Sequence, residues 1–256
     1  SISKMLQIDL TNKVAVVTGG SGELGRVMAR TLAGSGAAVA VHYLRGKDRA
    51  ETVCRDIINT GGKAMTVQAD VSDLDSVHAM RGAVAEELGH ADIIVNNAVH
   101  QYDWTSVLEQ ATADYESQFR TCVLHNVFMA KAFVPHMIER KWGRVIGINT
   151  ECTMQCSPSQ SAYIAGKAGQ DRVLRVLAKD VGQHGITVNQ VAPGWTISDK
   201  YRETPAEDKR YRDLVPMGRR GEDQEIANAV AFLASDLAAF ITGVYLPVCG
   251  GNVMPK

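Results

Sequence analysis

Several signals that would narrow this chain quickly are missing from its 256 residues. Its five cysteines, Cys54, Cys122, Cys152, Cys156 and Cys249, are odd in number and scattered. Without Cys-x-x-Cys or Cys/His spacing they build neither a disulfide framework nor a metal site, and they suit a reducing compartment as plain structural thiols. Charge of one sign is also lacking: 27 Lys and Arg against 28 Asp and Glu leave a net charge of −1. No global field therefore favours nucleic acid or a membrane surface. Long hydrophobic runs are absent, because Asp236 interrupts the most apolar late stretch and residues 1–10 contain no apolar signal core. The expectation is a soluble, cytoplasmic protein with no metal, nucleic-acid or membrane partner. No internal repeat, low-complexity run or linker divides it, so one domain over residues 1–256 is expected.

What is present is an alternation. Short β-branched or apolar runs at residues 14–18, 38–43, 64–68, 93–96, 144–149, 186–191 and 244–248 read as strands. The segments between them have helical length and periodicity. Repeated βα units with near-continuous apolar strands predict an α/β fold, a doubly wound parallel sheet of about seven strands with helices on both faces. One charged, irregular insertion, residues 196–220, carries Pro205 and Pro216 and reads either as a substrate lid or as a solvated surface excursion.

Two local patterns carry chemistry. The run Val14-Ala15-Val16-Val17 leads into Thr18-Gly19-Gly20-Ser21-Gly22-Glu23-Leu24-Gly25 and then into a helical pattern from Arg26. Strand, glycine-rich turn and helix in that order place backbone N–H groups and the positive end of a helix dipole where a pyrophosphate can sit. Later, Tyr163 and Lys167 stand four positions apart with Thr150 upstream. On a helix such a pair shares one face, so the ammonium can lie beside the phenol and bring down a pKa that is ordinarily near ~10. Tyr163 then becomes a usable proton donor and acceptor. A Tyr-x-x-x-Lys pair alone is a common accident on exposed helices.

Taken together, these motifs resemble those of the classical short-chain dehydrogenase/reductases. The matching residues are Thr18-Gly19 and Gly25, Asp70-Val71, Asn96-Asn97-Ala98, Tyr163 and Lys167, Asn189 with Pro193-Gly194, and Phe232-Leu233-Ala234-Ser235 with Ile241-Thr242-Gly243. Within that family the chain is similar to the branch that contains 3-oxoacyl-carrier-protein reductases and glucose dehydrogenases. The resemblance implies a Rossmann-like fold that holds NAD(P). Gly19, Ser21, Gly22, Glu23 and Leu24 would form its phosphate turn, and Asp70 with Val71 would meet the adenine. Asn97 and Ala98 would brace the strands beneath the cofactor, and Pro193, Gly194 and Thr196, within residues 193–198, would flank the nicotinamide. It also implies Tyr163 as acid/base, Lys167 as its electrostatic partner and holder of the ribose, and Thr150 as oxyanion donor in the place of the usual serine.

The end of the second strand reads His42-Tyr43-Leu44-Arg45-Gly46-Lys47, with no acid before Asp48. NADP(H) is therefore expected over NAD(H), with Arg45 and secondarily Lys47 as the phosphate clamp. Three residues depart from the family pattern. Glu23 replaces a glycine of the nucleotide turn, and it either intrudes on the phosphates or faces solvent. Val99 follows Asn-Asn-Ala where glycine is usual. Val123 stands where relatives carry an asparagine that holds a relay water, and Asn126, one turn on, is the candidate to take over.

His100, Tyr102, Trp104, Met154, Gln155 and Trp195 are the candidate substrate walls. Arg140, Lys141 and Arg144 form a small basic cluster that could greet an acidic carrier protein, or form an ordinary solvated face. The expected function is hydride transfer between NADP(H) and a ketone or secondary alcohol. A nucleotide-bound sensor or scaffold, and a redox-neutral epimerase or dehydratase, remain open. Helices expected over residues 112–141 and 159–184 pair across a two-fold axis in relatives, which implies a homodimer or homotetramer.

Overall fold

The structure, a computed structural model, describes residues 6–198 and 209–255. Seven strands form one parallel sheet in the order β3-β2-β1-β4-β5-β6-β7. They are β1 (Val14–Val17), β2 (Ala38–Tyr43), β3 (Lys63–Gln68), β4 (Ile93–Asn96), β5 (Gly143–Ile148), β6 (Ile186–Pro193) and β7 (Tyr245–Val248). The inner strands β1, β4, β5 and β6 are buried along their whole length, and β4, β5 and β6 bury Asn96, Arg144, Thr187, Asn189 and Gln190 among their apolar residues.

Alternate side chains of each strand enter opposite cores. Ala15 and Val17 pack with α1 (Gly25–Gly34), α2 (Lys47–Asn59) and α9 (Asp223–Ala234). Val14 and Val16 pack with α3 (Leu74–Glu87), α5 (His125–Arg140) and α7 (Ser161–Val181). Each fully buried valine contributes roughly 1.5–3 kcal/mol. A one-residue slip of β1 would exchange its two cores, which fixes the register Val14↔Ala38 to Val17↔Val41.

The helix expected over residues 112–141 is three pieces: α4 (Thr112–Gln118), a π-helical turn (Phe119–Leu124) and α5. Its end at Lys141, in the left-handed conformation, agrees with the expectation. The helix expected over 159–184 is α7 followed by a short 3-10 turn (Gly182–His184). Two short helices, α6 (Cys152–Gln155) and α8 (Lys209–Leu214), complete the rim. Of the insertion at 196–220, residues 199–208 lie outside the described residues, so the described part is its two ends.

The strand order reverses between β1 and β4, and the turns leaving their carboxyl ends diverge there. Such a crevice is where open parallel sheets bind ligands. Both chemical patterns of the sequence lie on this edge.

Candidate active site at the carboxyl edge of the sheet

The nucleotide turn is built from backbone. A Cβ at Gly25 would lie 2.0 Å from the carbonyl oxygen of Gly19, and Gly19 itself has φ +61°. No side chain fits the first position, and few residues adopt the second. Asn97 secures the turn from the neighbouring strand: its Nδ2 donates to the carbonyls of Thr18 (3.0 Å) and Gly19 (3.2 Å). The Thr18 hydroxyl accepts from the N–H groups of Asn97 (2.9 Å) and Ala98 (3.0 Å).

His42, buried at the end of β2, was not anticipated as a site residue. The Gly19 N–H donates to its Nδ1 (2.9 Å), so the proton sits on Nε2 and faces the Ala69 carbonyl at 2.9 Å. Burial pushes its pKa down, which keeps the imidazole neutral and the acceptor available. One ring thus joins the first three strands beneath the turn.

These residues fit a dinucleotide. Helix α1 starts without a side-chain cap and without an acid in its first turn, so its N-terminus presents backbone donors and a positive dipole to the crevice. Glu23 is exposed and pairs with Arg26 at 3.3 Å; of the two placements left open by the sequence, the side chain takes the one directed to solvent. Asp70 holds its loop through Oδ1, which accepts from the Ser72 N–H (2.8 Å) and hydroxyl (2.6 Å), with Val71 buried beside it. Arg45 is exposed at the mouth, whereas Lys47 is drawn to Glu51 at 3.6 Å. Arg49 folds back over Gly46, its Nε 2.9 Å from where a Cβ would stand. A second guanidinium, unforeseen in the sequence, therefore lies over the residue that follows Arg45.

Thr150, buried just beyond β5, has its hydroxyl next to the phenol of Tyr163. Burial pushes the phenol's pKa well above its ordinary value, the Thr150 hydroxyl pulls it partly back, and Tyr163 is held as the protonated acid. The Tyr163 backbone N–H donates to the hydroxyl of Tyr102 (2.7 Å), and Trp104 stacks on the Tyr163 ring with centroids 5.6 Å apart. Two glutamines fix this wall. Gln118 donates to the His100 carbonyl (3.0 Å), and Gln110 donates to the Asp103 carbonyl (3.1 Å) while accepting from the Thr105 N–H (3.0 Å). Val99 and His100 are exposed at the same rim, and Met154 and Gln155 are half-buried in α6.

Two expectations are corrected. The Lys167 ammonium, expected against the phenol, donates instead to the carbonyl of Ile148 (2.6 Å) and to Gln170 Oε1 (3.2 Å). A buried ammonium needs acceptors to replace its hydration, and the Ile148 carbonyl and the Gln170 amide supply them. The basic cluster of Arg140, Lys141 and Arg144 lies by the amino end of β5, at the edge of the sheet opposite the crevice. Arg144 is buried there, donating to the Gly143 carbonyl (2.9 Å) and to Asp236 (3.1 Å) beneath Trp142. A partner docked on that cluster would stand a whole sheet away from Tyr163.

Asn126 also behaves differently from its expected part. Its Oδ1 accepts from Asn96 (2.8 Å) and its Nδ2 donates to the Cys122 carbonyl (2.7 Å), which engages both ends of the amide away from Lys167.

The far wall contains residues that sequence reasoning missed. Glu151 is buried beside Thr150; its oxygens accept from the Tyr211 hydroxyl (2.8 Å) and from Asn252 (3.0 Å). Tyr211, on α8, accepts from the Trp195 N–H (2.8 Å), and Arg220 donates to the carbonyls of Trp195 (3.0 Å) and Thr196 (2.8 Å). A Cβ at Gly194 would come within 2.6 Å of the Tyr211 oxygen, so glycine is needed there. With Pro193 at the end of β6, this network sets the path of the chain that the nicotinamide would face. Among the described residues no cluster of His, Cys, Asp and Glu could hold a metal ion, and no helix is long and apolar enough to cross a membrane.

A family model described as enoyl-(acyl carrier protein) reductase matches residues 21–252. The chain belongs to the short-chain dehydrogenase/reductase family. It is 35% identical over 246 residues to a 3-oxoacyl-[acyl-carrier-protein] reductase from Synechocystis, covering 96% of this chain and 98% of that one. Among solved structures, a gluconate 5-dehydrogenase from Burkholderia cenocepacia in complex with NADP and tartrate superposes with a TM-score of 0.89 at 28% identity, covering 96% of this chain and 97% of the other. The reductase LugOII, which catalyses keto-reduction at C1 during lugdunomycin biosynthesis, superposes with a TM-score of 0.88 at 30% identity, covering 96% and 99%. The short-chain dehydrogenase/reductase fold accounts for the single sheet and for the crevice at its reversal, and the chain is an NAD(P)-dependent oxidoreductase of a ketone or secondary alcohol.

Proposed function

We propose that the protein reduces a ketone with NADPH, with Tyr163 as proton donor and Thr150 as oxyanion donor. The observation that carries this reading is the placement of Thr150 beside the Tyr163 phenol at the carboxyl edge, facing a backbone-built turn that suits a pyrophosphate. When bound, NADPH supplies the hydride. As the carbonyl carbon receives it, negative charge grows on oxygen, and Thr150 stabilises that charge with a hydrogen bond. Tyr163 gives up its phenolic proton to the same oxygen, which yields the alcohol. The buried Lys167 ammonium is assigned the part of favouring the phenolate that remains.

The nucleotide turn, Asp70, Val71, Asn97, Ala98, Pro193, Gly194 and Thr196 are assigned to cofactor binding. Arg45, with Arg49 over the residue that follows it, is assigned to the 2′-phosphate. His100, Tyr102, Trp104, Met154, Gln155 and Trp195 are assigned to the substrate walls, with Trp104 covering the reactive phenol. The relatives named for 3-oxoacyl-carrier-protein reduction make a 3-oxoacyl thioester one substrate to try, delivered at the crevice and not through the basic cluster. Assembly as a homodimer or homotetramer through α4 and α7 belongs to the same proposal; Phe119, between them, is half exposed.

The test follows NADPH absorbance over a panel of 3-oxo thioesters, aryl ketones, aliphatic ketones and keto acids, beside binding titrations of NADPH and NADH. Turnover with at least one ketone and tighter binding of NADPH is the expected result. Binding without oxidation across the panel would favour a sensor, and tight binding of NADH alone would overturn the assignment of Arg45.

A further inference from the structure

Tyr163, Lys167 and Gln170 follow one another along one face of α7 at helical spacing. Gln170 is 1% exposed and Lys167 3%. Their polar atoms close a ring: Lys167 Nζ donates to the Ile148 carbonyl (2.6 Å) and to Gln170 Oε1 (3.2 Å), and Gln170 Nε2 donates to the same Ile148 carbonyl (3.1 Å). The ring fixes the direction of the amide, since a flipped amide would set donor against donor at the ammonium.

Packing holds Gln170 in place. A Cβ at Gly147 would lie 2.9 Å from Gln170 Nε2 and 2.4 Å from Leu174 Cδ1, so the glutamine rests directly on the backbone of β5. On the other side, Val123 fills the approach of the π-helical turn to α7, with its Cγ2 2.7 Å from where a Cβ at Gly169 would stand. Asn126 is committed to Asn96 and Cys122. The amide beside the ammonium thus comes from α7 itself.

An uncharged acceptor has a particular consequence here. Taking an ammonium out of water is costly unless acceptors replace its hydration. A carboxylate would do so but would cancel the charge of the ammonium; an amide replaces the hydration and leaves the charge intact. The other titratable groups facing this pair do not compete. Burial holds His125 neutral, with its pKa pushed down to about 3, and pushes the Cys122 and Cys152 thiols and the Tyr245 phenol up, so that they stay protonated.

We propose that Gln170 is a positioning residue that holds the Lys167 ammonium in register with Tyr163 while leaving its charge uncancelled. This rests on the assignment of Tyr163 as proton donor.

The experiment measures steady-state reduction of ethyl acetoacetate by NADPH against pH, for the full-length parent, Gln170→Leu and Gln170→Glu. Gln170→Leu removes the acceptor at similar size, and kcat should fall about tenfold with little change in KM. Gln170→Glu should recover much of that kcat, yet move the alkaline limb, where Tyr163 loses its proton, upward by about one pH unit. If Gln170→Leu proves too unstable to assay, the limb of Gln170→Glu decides alone. Parent-like kcat and an unmoved limb in both variants would overturn the proposal, whatever happens to their melting temperatures. A parent that oxidises no NADPH with this ketone or with any of the panel would instead overturn the reading of Tyr163 on which it rests.

Discussion

The two walls of the crevice are made of different material. On the cofactor side the geometry is set by backbone: Gly19 and Gly25 in near contact, with Asn97 and His42 pinning their carbonyl and amide groups. On the substrate side it is set by side chains distant in sequence, with Glu151, Tyr211, Trp195, Arg220 and Asn252 interlocked around the chain after β6. A backbone site serves a ligand that does not change. A side-chain site can be altered residue by residue without disturbing the first, which suits a family whose named relatives reduce acyl-carrier substrates and bear names of gluconate dehydrogenases.

The largest effect expected from breaking this arrangement is at the junction of the walls. Tyr163→Phe removes one hydroxyl and no packing volume, so kcat should fall by about 10²–10⁴ while NADPH affinity, measured by titration, changes little. Next is the cofactor wall itself. Gly25→Ala forces a methyl group to within 2.0 Å of the Gly19 oxygen, and the turn must give way. The melting temperature should drop, by about 1–3 kcal/mol of stability for such overpacking, and NADPH affinity should drop with it. Arg45→Ala should raise the NADPH dissociation constant by one to two orders of magnitude, about 1.5–3 kcal/mol, with little change for NADH. Equal losses for both cofactors would remove Arg45 from the 2′-phosphate.

How much of each wall was legible follows from the same contrast. Gly19, Gly25 and Asn97 could be read because a backbone constraint leaves a local residue pattern, and the strands could be read because their burial demands mostly apolar runs. Glu151 could not: an acid following a threonine reads as solvated, and only the fold brings Tyr211 and Asn252 to it from 60 and 101 positions away. Gln170 was hidden for a similar reason, since a glutamine three residues after Lys167 looks like an ordinary helix surface. Arg144 misled in the opposite direction; two exposed neighbours in sequence suggested a surface patch, and the β5 register buried it. The π-helical turn at Phe119–Leu124 left no sign in a helical periodicity that continues across it.

Smaller effects separate the walls further. Burial raises the pKa of Glu151, so the folded protein disfavours its charged form. A group raised in this way lowers stability above its folded pKa and relieves that loss as pH falls toward the unfolded value near ~4.3. Glu151→Gln should therefore narrow the difference in melting temperature between mildly alkaline and mildly acidic buffer, with the change confined to that window. On the cofactor side, Glu23 faces solvent with Arg26. Glu23→Gly should leave NADPH affinity within about twofold and cost ~0.5–1 kcal/mol of stability; a marked gain in affinity would mean that its carboxylate does reach the phosphates.

The central claim is that one tyrosine, set where a cofactor wall of backbone meets a substrate wall of side chains, gives its proton to the carbonyl oxygen reduced there. Its most direct test is a paired measurement on the parent and Tyr163→Phe: NADPH binding by titration and ketone-dependent NADPH oxidation in the same preparation. The account predicts equal binding, with turnover in the parent and almost none in the variant. Comparable turnover in both proteins would contradict it.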